Sequence, residues 1–105
     1  MDCAVRDDYQ QVLDDARVDV VDVTGPSHGH AQQGIAAARA GKHLLVEKPM
    51  GLTIDENRAL RDAVAQSHVK SVAGFVLRWN PAVEMIRSLV GNGAIGQLVY
   101  AQVDY

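Results

Sequence analysis

Apolar positions along this chain switch between two periods, one helical and one extended. Tyr9, Val12, Leu13 and Ala16 recur at the spacing of one helix face. Asp7 and Asp8 before them suit a helix N-terminus, where carboxylates meet the positive end of the dipole. Asp14 and Asp15 sit at the unfavourable end, so this helix should be short and frayed there. Val18 to Val23 reads as a strand, with β-branched residues at 18, 20, 21 and 23. Asp22 is its awkward member. A buried carboxylate needs partners, so Asp22 either faces a polar crevice or is capped by neighbours. His30 to Ala40 reads as an alanine-rich helix with Ile35 on one face, stopped by Gly41. His43 to Val46 is a brief apolar run with a β-branched end, suited to a central parallel strand covered on both faces.

The same rhythm continues. Thr53 and Glu56 form a capping box, and the helix they open runs to about Ser67 with Ala59, Leu60, Ala63 and Val64 inward. Val69 to Val76 contains a third strand. Asn80-Pro81 supplies an N-cap followed by proline at the first helical position. The helix after it carries Ala82, Val83, Ile86, Leu89 and Val90 on one face and is closed by Gly91. Gln97 to Tyr105 alternates and reads as a last strand, belonging to a different sheet. Strand-helix units with buried strands predict an α/β fold with a doubly wound parallel sheet and right-handed crossovers. Three parallel strands alone would leave two raw edges, so the chain reads as part of a larger domain.

Composition narrows the function classes. The 105 residues include 48% hydrophobic and 22% charged side chains, ordinary for a globular domain. A net charge of −3 gives no electrostatic footprint for nucleic acid or an anionic membrane. No apolar run approaches the roughly 20 residues of a membrane span. Met1 to Arg6 has no basic segment leading into an apolar one, so it is not expected to be a secretory signal. Cys3 is the only cysteine. That excludes a disulfide framework within one chain and points to a reducing, cytoplasmic setting.

The chemistry gathers at the ends of the three predicted parallel strands. The first ends in Thr24-Gly25-Pro26-Ser27-His28-Gly29-His30, the second in Glu47-Lys48-Pro49, the third in Leu77-Arg78-Trp79-Asn80-Pro81. Parallel strands put these ends on one edge, about 4.8 Å apart from strand to strand, and ligands of open α/β sheets bind along that edge. Pro26, Lys48 and Arg78 are therefore expected to line one crevice. A loop with Gly and Ser before a helix can approach a ligand closely and offer backbone N–H groups. Pro49 removes a donor and turns the chain out just after Lys48. On the tripeptide alone, a surface Glu47–Lys48 ion pair in a turn is the plainer reading. His30 either caps or packs at the helix start, or contacts a ligand. His28 and His30 form an H-x-H pair, but no cysteine or clustered carboxylate lies nearby in sequence, so no metal site is expected. His43 and His68 read as structural, and packing is the default role of Trp79. Gly91-Asn92-Gly93-Ala94-Ile95-Gly96 matches G-x-G-x-x-G, but it follows a helix and precedes a predicted strand. It lacks the strand-to-helix setting that gives the fingerprint meaning and reads as a ligand-free turn.

Taken in order, Thr24 to His30, Ala40-Gly41-Lys42-His43, Glu47-Lys48-Pro49 and Gly74-Phe75-Val76-Leu77-Arg78-Trp79-Asn80-Pro81 resemble the Gfo/Idh/MocA oxidoreductases. Gly96-Gln97-Leu98-Val99-Tyr100 fits the entry to that family's second domain. The resemblance implies that residues 1–95 are the C-terminal half of an NAD(P)-binding Rossmann domain. Residues 96–105 would then be the first strand of a following α/β substrate and oligomerisation domain. It implies NAD or NADP as cofactor and a sugar, polyol or related alcohol or carbonyl compound as a small-molecule substrate. It also implies a homo-oligomeric parent. Lys48 would be the catalytic residue, beside the nicotinamide and hydrogen-bonded to the reacting oxygen. Thr24, Gly25, Pro26, Ser27, His30, Glu47, Pro49, Arg78 and Trp79 would border the cofactor, and Lys48 and Asn80 the substrate. Ser27 stands where the family commonly has asparagine. The family's glycine fingerprint and its Asp-x-x-x-His pair have no match in these residues, so the chain reads as the middle of an enzyme. Outside enzymes, the same pattern would suit an assembly module that pairs through its raw sheet edges, or a nucleotide-binding regulator.

Overall fold

A computed structural model describes residues 3–104; Met1, Asp2 and Tyr105, the end of the predicted last strand, lie outside the described residues. The elements follow the predicted order as far as the fourth helix: α1 (Tyr9–Leu13), β1 (Val20–Val23), α2 (His30–Arg39), β2 (His43–Val46), α3 (Ile54–Ser67), β3 (Ser71–Ala73) and α4 (Pro81–Gly91). Short 3-10 turns at Ser27–Gly29 and Val76–Trp79 lead into α2 and α4. The chain divides into two compact units, one running to Gly74 and the other from Phe75 onward.

The first unit is built on a three-stranded parallel sheet in the order β1-β2-β3. β2 is central, as its apolar run predicts, but it is covered on one face only. Leu44 and Val46 are 3% and 2% exposed, whereas His43 and Leu45 face solvent. The register explains the split. Val21 pairs with Leu44 and Val23 with Val46, so these four share the face that packs on α2 and α3. Val20, Asp22, Leu45 and Val72 share the other face, on which no element of this unit packs. Side chains alternate across a strand, so covering both faces needs helices on both sides, and α2 and α3 supply one side. Asp22 is thereby exposed and needs no buried partner.

The remaining corrections have local causes. β1 starts at Val20 because the Val18 N–H donates to the Asp15 carbonyl in a turn that closes α1. α1 is one and a half turns long, capped by the Asp8 carboxylate on the Gln10 N–H. Ala16 lies outside the helix and is exposed. Ala59, expected inward, is also exposed, while Leu60 and Ala63 enter the core. β3 is three residues rather than the longer run, since the chain turns away at Gly74.

In the second unit, α4 begins as the sequence predicts, with Asn80 Oδ1 accepting from the Ala82 N–H and Pro81 in the first turn. Its stop is Asn92 and Gly93 rather than Gly91: Gly93 has φ +73°, the left-handed conformation that glycine adopts without steric cost. Residues 97–104, expected as a strand, adopt no regular structure, and Leu98, Val99, Tyr100 and Val103 are exposed. An alternating segment becomes a strand only against a partner ladder, and no partner strand is present among the described residues of this unit. Trp79 is 66% exposed and does not take its default packing role.

Candidate functional site

Register places the chemistry. Val23, Val46 and Ala73 are aligned across the sheet, so Thr24, Glu47 and Gly74 are the first residues past its carboxyl edge. The Glu47 N–H still donates to the Val23 carbonyl at 3.0 Å, and the Gly74 N–H to the Val46 carbonyl at 2.8 Å. The sheet's hydrogen bonding thus carries one residue into the rim, and Lys48 follows at once. The β1 and β2 loops are brought together in the first unit, as expected. Arg78, Trp79 and Asn80 belong to the second unit, in the turn that leads into α4.

Glu47 and Lys48 do not form the ion pair that a plain surface turn would show. The Glu47 carboxylate folds back to accept from the Lys48 backbone N–H at 2.9 Å. The ion pairs among the described residues are Arg17–Asp15, Arg58–Asp55 and Arg61–Asp62. Lys48 is exposed, and its ammonium has no ion-pair partner among the described residues. Gly74 makes room for this arrangement. A Cβ there would come within 2.9 Å of the Glu47 carboxyl carbon and 3.2 Å of its Cα. The motif around Gly74 does not reveal this role, because its reason lies in a neighbouring strand.

The loop after Lys48 is anchored from α3. Asn57 Nδ2 donates to the carbonyls of Gly51 and Thr53, and Glu56 Oε2 accepts from the Leu52 and Thr53 N–H groups. The capping box read from sequence therefore also ties down the β2 loop. Gly51 is required there, since a Cβ would lie 2.9 Å from the Glu56 Cβ and 3.2 Å from the Asn57 backbone nitrogen. Lys42, a second residue the sequence left without a role, is buried with its ammonium donating to the Asp15 carbonyl at 2.9 Å. This bond fastens the start of β2 to the end of α1. His43 Nδ1 accepts from the Lys70 N–H at 3.2 Å, joining the starts of β2 and β3 at the end of the sheet away from the rim. His28 is exposed, and no group of three His, Cys, Asp or Glu side chains among the described residues is arranged to hold a metal.

His30 packs at the helix start, one of the two places its position allowed. Its ring is 2% exposed. Nδ1 lies 2.8 Å from the Pro49 carbonyl and Nε2 2.6 Å from the Gly25 carbonyl. Both nitrogens therefore face backbone carbonyls, and a ring with a single N–H donates to one of the two.

The β1 loop fits part of a nucleotide. Thr24, Gly25 and Pro26 are exposed, and a Cβ at Gly25 or Gly29 would meet only the Gln33 side chain. The N-terminus of α2 has no side-chain cap, which suits an anionic group. A crevice of about 220 Å³ runs beside β1 between Tyr9, Asp22, Thr24, Gly25 and Gln33. That is below the roughly 300–1,000 Å³ of a complete small-molecule site, so it would seat one portion of a dinucleotide. Gly91 to Gly96 does not supply the rest, because no helix follows it.

Comparison with known proteins shows the family. The family described as an oxidoreductase family with an NAD-binding Rossmann fold, Gfo/Idh/MocA, matches residues 1–75. The chain belongs to this family. Levoglucosan dehydrogenase of Pseudarthrobacter phenanthrenivorans is 39% identical over 98 residues, covering 93% of this chain and 25% of that protein. The NAD(+)-dependent scyllo-inositol 2-dehydrogenase of Bacillus subtilis is 33% identical over 94 residues, covering 90% of this chain and 28% of its own. Among solved structures, a levoglucosan dehydrogenase in complex with NADH and levoglucosan superimposes with a TM-score of 0.84 at 39% identity, over 88% of this chain and 25% of that one. The chain therefore spans about a quarter of the length of the relatives it matches.

Proposed function

We propose that residues 1–95 form the nicotinamide-side half of an NAD(P)-binding Rossmann domain, and that residues 96–105 open the substrate domain of the same enzyme. In this reading the enzyme is an oxidoreductase of a sugar, polyol or related alcohol or carbonyl compound. The observation that carries it is the exposed Lys48, without an ion-pair partner among the described residues and two residues beyond a three-strand register. The sugar and inositol dehydrogenases among the relatives support the substrate class.

Bound nicotinamide would supply the hydride donor or acceptor. The chain's own residues would do the rest. Lys48 donates a hydrogen bond to the reacting oxygen and passes it a proton during reduction. Thr24, Gly25, Pro26 and Ser27 wall the cofactor from the β1 side. Glu47 stiffens the backbone under Lys48 by accepting from its N–H. Pro49 turns the chain out directly after Lys48. Arg78 and Trp79 line the nicotinamide end, and Asn80 meets the substrate.

Titrating the isotope-labelled chain with NADH and with NADPH tests the binding part. The amides of residues 24–29 and 47–48 should shift, with a dissociation constant of roughly 1 mM or weaker, equivalent to about −4 kcal/mol. The weakness follows from the missing glycine fingerprint, since the pyrophosphate turn carries much of a dinucleotide's affinity. Micromolar affinity would relocate the binding energy, and shifts confined to α4 would remove the reading. In the enzyme that carries this segment, Lys48→Met should lower turnover about 10²–10⁴-fold. Undiminished turnover would remove Lys48 from the chemistry.

A further inference from the structure

We propose that His30 is a positioning residue, a clasp between the two rim loops that sets where Lys48 stands, and that it does not touch cofactor or substrate. The ring is buried, and its two nitrogens reach the Gly25 carbonyl in the β1 loop and the Pro49 carbonyl in the β2 loop. Both partners are carbonyl oxygens, which only accept. Each contact therefore asks for an N–H from the ring; only the doubly protonated imidazolium carries both at once, and in that form neither nitrogen has capacity left for a ligand. Pro49 directly follows Lys48, so a bond to its carbonyl acts on the peptide that carries the lysine.

The other supports of this loop all come from α3, through Asn57 and Glu56. His30 is the support that comes from α2 and crosses to the β1 loop. The other hydrogen bonds between the two segments among the described residues are those of the sheet, which end at Glu47 and Gly74. A buried polar side chain of this kind is costly to leave half-satisfied, so the ring holds both loops to one spacing. The clasp rests on the reading of Lys48 as the acting group of the rim, but its test reads the loops and not hydride transfer, so the two ideas fail separately.

The test begins with the unaltered chain. Through-hydrogen-bond couplings in the ¹³C,¹⁵N-labelled chain should connect the His30 ring nitrogens to the carbonyl carbons of Pro49 and Gly25. Their absence at both carbonyls overturns the clasp whatever the variants do. Three substitutions then separate clasping from filling. Asn at position 30 can present an amide N–H near the place of Nδ1, Gln near that of Nε2, and Leu fills volume without a donor. In His30→Leu, hydrogen exchange at the Lys48 and Leu52 amides should quicken about tenfold, the ratio expected for one lost hydrogen bond of ordinary strength. Exchange at the Leu60 amide should stay within about twofold, because α3 keeps its own hydrogen bonds. His30→Asn should restore slow exchange at Lys48, and His30→Gln should not. Equal quickening in all three variants, or quickening that extends equally to Leu60, would reduce His30 to a core filler.

Discussion

Helices α3 and α4 start equally well and end differently. Each has a polar N-cap whose side chain accepts from the first turn, Thr53 from Glu56 and Asn80 from Ala82. Each carries an apolar face. Leu60 and Ala63 of α3 are buried against α2 and the sheet. Met85, Ile86, Leu89 and Val90 of α4 remain exposed. The difference shows that a cap and a periodic pattern make a helix, whereas burial requires another element at the right distance. For α3 that element is α2, where Gly34 lets the Leu60 side chain approach so closely that a Cβ would lie 2.9 Å from it.

The largest expected effect tests this contrast directly. Leu60→Ala should cost about 2–5 kcal/mol of stability through lost burial and a residual cavity. Ile86→Ala should stay within about 0.5 kcal/mol, as for other exposed positions. Urea unfolding of the two variants measures both. Equal losses would mean that α4 has found cover.

Removing the caps gives a smaller and more local contrast. Thr53→Ala should cost about 1 kcal/mol in the same unfolding experiment, since the capped helix belongs to the cooperative core. Asn80→Ala should leave that transition in place and instead quicken amide exchange at Ala82. A shared shift of the urea midpoint would join the two helices into one cooperative unit.

The smallest effect concerns α1, a helix too short to hold itself. Hydrogen bonds from the Arg17 side chain and backbone N–H keep the Asp15 carboxyl well below the usual carboxylate range. A group lowered in the folded state stabilises it above its unfolded value, near pH 4, and that contribution is lost as the pH falls through the folded value. Arg17 is largely in solvent and Asp15 is half-buried at the surface, so the pair contributes little. Asp15→Asn should lower the urea midpoint slightly at neutral pH, with the gap closing in strong acid. A gap that widened in acid would reverse the assignment.

Legibility followed the range of the interactions. Asp8, Thr53, Asn80 and Gly41 were readable because each acts on N–H or carbonyl groups within a few residues. The rim itself was readable, since parallel strands bring their carboxyl ends to one edge whatever lies around them. The roles of Gly74 and His30 were not. The reason for Gly74 is the Glu47 carboxylate on the neighbouring strand, and the partners of His30 lie 5 and 19 residues away. No local pattern encodes either contact. The last segment failed for the opposite reason: its alternation was clear, but a strand also needs a ladder beside it.

The sequence by itself determined where helices begin, that the three apolar runs of the first unit become strands, and that Lys48 leaves the central strand at its carboxyl end. It could do so because backbone hydrogen bonding and side-chain period are local properties. Only the tertiary structure decided that one face of β2 is covered and the other open, that α3 is buried and α4 exposed, and that His30 turns inward to two carbonyls. Each of these depends on which elements meet, and burial and hydrogen-bond partnership are properties of the pair rather than of either segment.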